Sequence, residues 1–516
     1  MTECINPVTL EIAWARLVSI VDEAAATFIR ASFSTLAREA NDFAVVLTDA
    51  AGRSIAQSSM SVPSFIGTLP ASVRHFIERF SIAGMSDGDV FITNDPWKGT
   101  GHVHDVTVAT PIFMAGKVIA FAAITSHMPD IGGRLRSAGV REIYEEGLQI
   151  PLLKLVEAGR TNEAVVAFIE TNVRVPDATM GDIWSEVAAC RKVAERLVEV
   201  LGEVGLDLDD ISAEVRTRSE QAMRGAIAAL PDGRHAYSLL HDGFEDRVRI
   251  EATVAIDGDR IHIDYTGTSE QLARAVNVVP IYTFAYTAYA VKALLSPDIP
   301  NNEGSFQPVT TWAPEGTILN PRFPAPGGAR NMIGHLLPAV VMGALAPILP
   351  DRIWAPGASN SSVTIAGEHN RQRYAGMFFF NGGQGASSRH AGMPTLSFPS
   401  NLANTPIEVI EQTVPVRILH RRRRPGSGGA GFRRGGDGLD VAFEFIGDAP
   451  ATCSVILTRW RIPPPGLNGG EAGAIARLSV NGQTRDPAEP LLLHRDDRVT
   501  IETAGGGGLG VQEDVQ

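Results

Sequence analysis

The sequence predicts an α+β chain of several domains, a mixed α/β architecture with N-terminal hairpins and helices carrying a metal site and a β-rich, glycine-rich C-terminal part. Three observations support this reading. Apolar residues recur at helical spacing in some stretches and in β-like runs in others. The 516 residues exceed one core at ~100–200 residues per domain. A hydrophobic content of 44% with 20% charged residues is that of a globular protein able to bury a sizeable interior.

Asn6-Pro7 reads as an N-cap followed by proline in the first turn, and Leu17, Val21, Ala24 and Phe28 continue at helical spacing, so residues 7–33 are expected as one amphipathic helix. The stretch DFAVVLTDAAGRSIAQ (42–57) gives two strands around a turn at 50–52. Residues 70–83 read as helix. Between 88 and 133, DVFITND, HDVTVATPIF and KVIAFAAITSH read as three strands, with Met114-Ala115-Gly116 turning the last two. The stripe Ile183, Val187, Cys190, Ala194, Leu197, Leu201 predicts a helix, and a second is expected over 209–230, closed by Pro231-Asp232-Gly233. RVRIEATVAI and RIHIDYTG then flank Asp257-Gly258 as a hairpin. Helices are expected at 281–296 and 330–348, followed by short strands and glycine-rich loops. No internal repeat is present. The shift in composition near 233–245 suggests a division into 1–233, carrying the metal site, 234–420, a central mixed region, and 421–516, the glycine-rich part.

The net charge of −13 argues against a nucleic-acid protein, whose phosphate partner needs a basic surface. The run Arg421–Arg424 is expected as a solvated charge run at a domain edge. Cys4, Cys190 and Cys453 are too scattered for a disulfide framework or a zinc motif, which fits a reducing cytoplasm. The N-terminus has no signal-peptide pattern. The run 335–350 is too short and proline-broken to span a membrane, and is expected as a buried helix.

Chemistry concentrates in NDPWKGTGHVHD (94–105) and SHMPD (126–130). Asp105 lies eleven residues before Gly116 and His127 eleven after it, so an antiparallel hairpin sets the two side by side at its open end. Residues i and i+3 point to opposite faces of a strand, so His102 joins Asp105 only from a loop, which Gly99 and Gly101 permit. His104 alternates with Asp105 and is expected to face away, towards solvent. A fourth ligand must come from elsewhere. Asp42, at the mouth of the first hairpin, is the choice, although spacing alone does not single it out. Two imidazoles with one or two carboxylates suit Zn²⁺, Mn²⁺ or Fe²⁺ and leave an open coordination position. The competing reading is a set of polar groups satisfying turn amides. The chain has no Walker-type loop, GxSxG or HExxH. The tail GGGGLG matches GxGxxG formally but precedes no helix. The loop 426–438, with Arg433 and Arg434, is expected as a wide surface connection rather than an anion cradle.

NDPWKGTGHVHDVTVATPIF followed by SHMPDIGGR resembles the hydantoinase B/oxoprolinase family. REANDFAVVLTDAAGRSIAQ, REIYEEGLQIP, NVRVPDATMGD, DYTGTSEQ, NEGSFQPV, APEGTILNPRFPAP, NLANTPIEVIE and PGSGGAGFRRGG extend the resemblance, in order, over nearly the whole chain. It implies Asp42, His102, Asp105 and His127 as ligands of one divalent metal, and an ATP-binding hydantoinase A-type partner subunit in a cytoplasmic hetero-oligomer. The reaction it implies is hydrolysis of a lactam, hydantoin or 5-oxoproline-like ring amide phosphorylated on the partner. Asp130 is the candidate general base, with a turn cap as its alternative. Lys98 and Arg134 are candidates for holding phosphate, against exposed ion-pair partners. Glu142 and Glu146 are candidates for lining the cleft, against a solvated helix face. Relatives that carboxylate ketones leave a ketone carboxylase subunit as a second reading, and a scaffold completing the partner's site as a third. Arg134 and Arg136 depart from the small residue and Pro-Gly-Ser run frequent after DIGG.

Overall fold

The computed structural model of the chain describes residues 5–512, so Cys4 lies outside the described residues. The expected α+β class holds, with helices packed on four sheets. Helix α1 (Pro7–Ala31) starts where the Asn6 side chain accepts from the Val8 N–H at 2.9 Å, and it buries Leu10, Leu17, Val21, Ala24 and Phe28. The chain then builds a seven-stranded antiparallel sheet from β1 (Phe43–Asp49), β2 (Ser54–Gln57), β3 (Val90–Thr93), β4 (Asp105–Met114), β5 (Lys117–His127), β6 (Leu153–Glu157) and β7 (Arg160–Thr161), in the order β2-β1-β5-β4-β3-β6-β7. Helix α2 (Pro63–Phe80) packs on one face. After the short α3 (Ile143–Glu146) and α4 (Glu163–Asn172), the long α5 (Pro176–Val204) joins α1 on the other face, and α6 (Leu208–Ala228) follows.

Period-two alternation decides which side chains meet. Phe43, Val45, Leu47, Val106, Val108, Ala122 and Ile124 pack with α1 and α5. Ala44, Val46, Ala109, Phe121 and Ala123 pack with α2 and with Met377, Phe379 and Leu402 from much later in the chain. The second face is therefore roofed by the C-terminal half, and the candidate ligands lie under that roof.

The β4–β5 register reaches the expected Asp105–His127 pairing by an unexpected route. Ala115 and Gly116 form a two-residue turn, both at positive φ (50° and 77°). That turn alone would set Asp105 opposite Ser126. Ile119 has no partner between the pairs Ile112–Ala120 and Phe113–Val118, and this bulge shifts the register by one, placing Asp105 opposite His127.

Several expectations need correction. The helix expected over 70–83 runs from Pro63 to Phe80 and carries Pro70 inside it, so Pro63 is the first-turn proline. The helix expected over 330–348 is two, Asn331–Gly334 and Leu337–Leu345, the second with proline in its first turn and every residue buried. No helix among the described residues is long and apolar enough to cross a membrane. In the run Arg421–Arg424, Arg422 and Arg423 are solvent-exposed as expected, whereas Arg421 and Arg424 are half-buried. Arg421 Nη1 donates to the Thr405 carbonyl at 2.6 Å, and Arg422, Arg423 and Arg424 pair with Asp440, Asp437 and Glu502 at 2.8, 3.6 and 3.1 Å.

The largest correction concerns glycine. The tail 504–509 is the buried axis of a bundle, and 425–438 forms one of its walls rather than a wide surface loop. Gly505 and Gly508 donate to the carbonyls of Ala474 and Glu471. The Ala504 and Gly507 carbonyls accept from Gly383 and Ala386, and those of Gly506 and Leu509 accept from Gly429 and Arg433. Partners repeat every three residues around three neighbouring segments. That is the threefold habit of an extended polyproline-II-like rod, not of a twofold strand. A Cβ on Gly505, Gly506, Gly507 or Gly508 would come within 1.9, 2.0, 2.0 or 2.0 Å of a neighbouring backbone oxygen, so only glycine permits this approach.

Candidate metal centre

Three segments deliver the candidate ligands. Asn94 clamps the loop before β4: its amide donates to the carbonyls of Val103 (2.7 Å) and Leu148 (2.8 Å), while its oxygen accepts from the Ile150 N–H. Gly101, at φ 101°, then turns the chain so that His102 points back at Asp105. His102 Nε2 lies 2.6 Å from Asp105 Oδ1, which lies 3.1 Å from His127 Nδ1. Asp42 Oδ2, arriving from the start of β1, is 4.0 Å from His127 Nδ1. His102, Asp105 and His127 each present a ligand atom within 4.8 Å of the others, and all three are buried.

Charge and hydrogen bonding favour a cation at their centre. The other Asp105 oxygen, Oδ2, accepts from Thr100 Oγ1 (2.6 Å) and Arg330 Nη2 (2.7 Å). This leaves Oδ1 facing the imidazoles. Burial lowers the His102 pKa to about 3, helped by the Arg330 charge, and burial lowers that of His127, so both rings are neutral at pH 7. Burial acts to raise the Asp105 pKa, but its charged and hydrogen-bonding neighbours, the Arg330 guanidinium and the His127 ring among them, outweigh it and hold the carboxyl well below its usual range. Burial and the Asp105 charge raise Asp42 to about 7. His102 Nδ1 donates to the Gly328 carbonyl at 3.2 Å, so the lone pair is on Nε2. That Nε2 is buried without a hydrogen-bond partner although a carboxylate oxygen is 2.6 Å away. An imidazole nitrogen and a carboxylate oxygen held this close, with no hydrogen bond satisfying the nitrogen, are donors suited to a divalent ion.

The group borders a narrow cleft of about 30 Å³. Arg136, Arg330, His335 and Asn360 line its polar side, and Val62, Phe65, Phe379 and Leu402 its apolar side. The Arg330 guanidinium lies 4.4 Å from the Tyr282 ring centroid, with Nε buried and unpartnered. Arg136 donates to the Gly328 carbonyl (3.0 Å), Ser362 Oγ (2.9 Å) and Asn331 Oδ1 (3.0 Å).

His102, Asp105 and His127 come together, and Asp42 approaches the group only at His127, 4.0 Å away; the other expected site residues do not join them. Asp130 has both oxygens committed, one to Arg174 Nη1 and the other to the N–H groups of Gly132 and Arg174, which is the turn-cap alternative. Lys98 and Glu142 are exposed. Arg134 pairs with Glu145 at 3.5 Å, beside a different surface cleft. Glu146 is buried, not solvated, and sits behind His102 instead of lining the cleft. His104 does not face solvent. β4 begins at Asp105, so strand alternation does not reach His104, whose buried ring lies 5.1 Å from that of His102 and 5.6 Å from that of His127. Arg330, His335 and Asn360 were missed because they arrive from more than 200 residues away, where spacing carries no signal.

The family model described as Hydantoinase B/oxoprolinase matches residues 6–512. A Pseudomonas sp. (strain NS671) protein assigned as the B-type component of a D-/L-hydantoinase is 30% identical over 98% of this chain and 90% of its own length. The crystal structure of the ATP-dependent caprolactamase from Pseudomonas jessenii superposes with a TM-score of 0.90 at 25% identity, covering 99% of this chain and 92% of that one. A nucleotide-free acetone carboxylase structure also gives 0.90, at 19% identity, covering 98% and 76%, and shares the fold.

Proposed function

The chain belongs to the hydantoinase B/oxoprolinase family, and from that premise we propose that it is the metal-bearing subunit of an ATP-dependent cyclic amidohydrolase. The substrate is a small ring amide of the lactam, hydantoin or 5-oxoproline class. ATP is held by an A-type partner, which phosphorylates the amide oxygen and so makes a poor electrophile reactive. The observation that carries this reading is the convergence of His102, Asp105 and His127, with an unpartnered Nε2, beside a narrow cleft. The relatives named as subunits support a hetero-oligomer, and the ATP-dependent caprolactamase supports the co-substrate.

His102, Asp105 and His127, with Asp42 as fourth member, would hold one divalent ion of zinc, manganese or iron. When bound, such an ion lowers the pKa of a coordinated water from 15.7 towards ~7. The remaining roles fall to this chain's own residues. Gly328 fixes the tautomer of His102, and Thr100 and Arg330 fix the plane of the Asp105 carboxylate. Arg330 and Arg136 place two buried guanidiniums beside the ligands, suited to the phosphoryl group carried on the amide oxygen through water addition, ring C–N cleavage and hydrolysis of the resulting acyl phosphate. Val62, Phe65, Phe379 and Leu402 keep bulk water from the reactive carbonyl.

The test is an assay of the chain co-purified with its partner, with ATP and either hydantoin-type lactams or a ketone plus bicarbonate. Ring opening that requires ATP supports the reading. Carboxylation of the ketone would replace it with the carboxylase reading, whose fold this chain shares. Activity unchanged in Asp105→Ala and His127→Ala would reduce the chain to a scaffold.

A further inference from the structure

We propose that Glu146 is a positioning residue of the metal centre, acting on His102 through the backbone of Gly328. Glu146 ends α3, is 1% exposed and does not line the cleft. Its Oε1 accepts the Gly328 N–H at 2.6 Å. The carbonyl of the same residue accepts His102 Nδ1–H at 3.2 Å and Arg136 Nε–H at 3.0 Å. One glycine is thus gripped on both sides: the carboxylate holds its N–H, and its carbonyl orients the imidazole. The grip depends on close approach, because a Cβ on Gly328 would lie 3.0 Å from Glu146 Oε1 and 3.3 Å from His104 Cε1.

The consequence is chemical. With Nδ1–H committed to a fixed carbonyl, His102 keeps its lone pair on Nε2 and its ring plane towards Asp105. Outer partners of this kind change metal affinity by ~10–100-fold when removed. The acceptor oxygen is what matters, so an amide oxygen at the same place serves.

This rests on His102 being a ligand, and the experiment separates the two ideas. Zinc alone and manganese alone are titrated into the metal-free full-length protein against a competing chelator. If the wild type binds neither, the metal reading itself fails. Given wild-type binding, Glu146→Ala is expected to weaken it by ~10–100-fold, and Glu146→Gln to restore it to within about threefold. A role confined to packing would lower the melting temperature of Glu146→Ala and leave its dissociation constant unchanged, which overturns the proposal. Equal weakening by Glu146→Gln and Glu146→Ala also overturns it. Should Glu146→Ala not fold, Gly328→Ala, which crowds Oε1, is expected to weaken binding in the same direction; unchanged affinity there is likewise contrary.

Discussion

The β4–β5 hairpin and the glycine bundle both depend on backbone placement, yet they store it differently. In the hairpin, the backbone serves side chains: a two-residue turn and one bulge decide which residue faces Asp105, and the imidazoles and carboxylates do the rest. In the bundle, side chains are the obstacle. Residues 505–508 are buried with neighbouring backbone where a Cβ would sit. A glycine in the hairpin turn supplies a positive φ in open space, whereas a glycine in the bundle supplies room. The same residue type therefore tolerates substitution in one region and not in the other.

The largest effect is expected from Gly506→Ala. Its Cβ would meet Gln384 backbone atoms at 2.0 and 2.3 Å, so two chain segments must part, at a cost on the order of 3 kcal/mol or more. Denaturant unfolding and soluble yield measure it; wild-type stability would refute the bundle packing.

The second effect is on metal affinity and pH. Asp42 must be ionised to join the ligands, and its raised pKa of about 7 means that an incoming ion displaces a proton below that pH. His102, lowered to about 3, is already neutral and adds no slope there, and burial shifts His127 in the same direction. Affinity is therefore expected to fall about tenfold per pH unit below 7 and to level off above it. Asp42→Asn flattens the profile. A flat wild-type profile between pH 5.5 and 7 would remove Asp42 from the site.

The smallest effect is expected from Gly116→Ala. Nothing lies within 4 Å of the added Cβ, and only the φ of 77° resists, at about 1 kcal/mol. Metal content should be unchanged. Loss of metal in this variant would mean that the turn, and not the bulge at Ile119, governs the register.

The contrast also explains what the sequence disclosed. Asp105, His127 and the loop position of His102 were legible because strand periodicity and a glycine-marked turn convert sequence distance into spatial distance. His104 was misplaced because alternation was extended one residue beyond the start of β4. Asp130 and Glu146 carry the chemistry of a catalytic acid, but their hydrogen bonds assign them to a turn and to a backbone grip, which spacing does not encode. Arg330 lies four residues beyond the end of the resembling stretch APEGTILNPRFPAP and reaches Asp105 only through the tertiary fold. The bundle was illegible for a further reason. Glycine runs ordinarily signal flexible loops, and a period of three in backbone hydrogen bonds leaves no pattern of side chains to read.

Metal analysis tests the central claim most directly. The account predicts one tightly held divalent ion per wild-type chain after purification without added metal, and none in Asp105→Ala or His127→Ala purified in parallel with the same fold by circular dichroism. A wild-type chain that carries no divalent ion and takes none up, or variants that hold as much as the wild type, would contradict it.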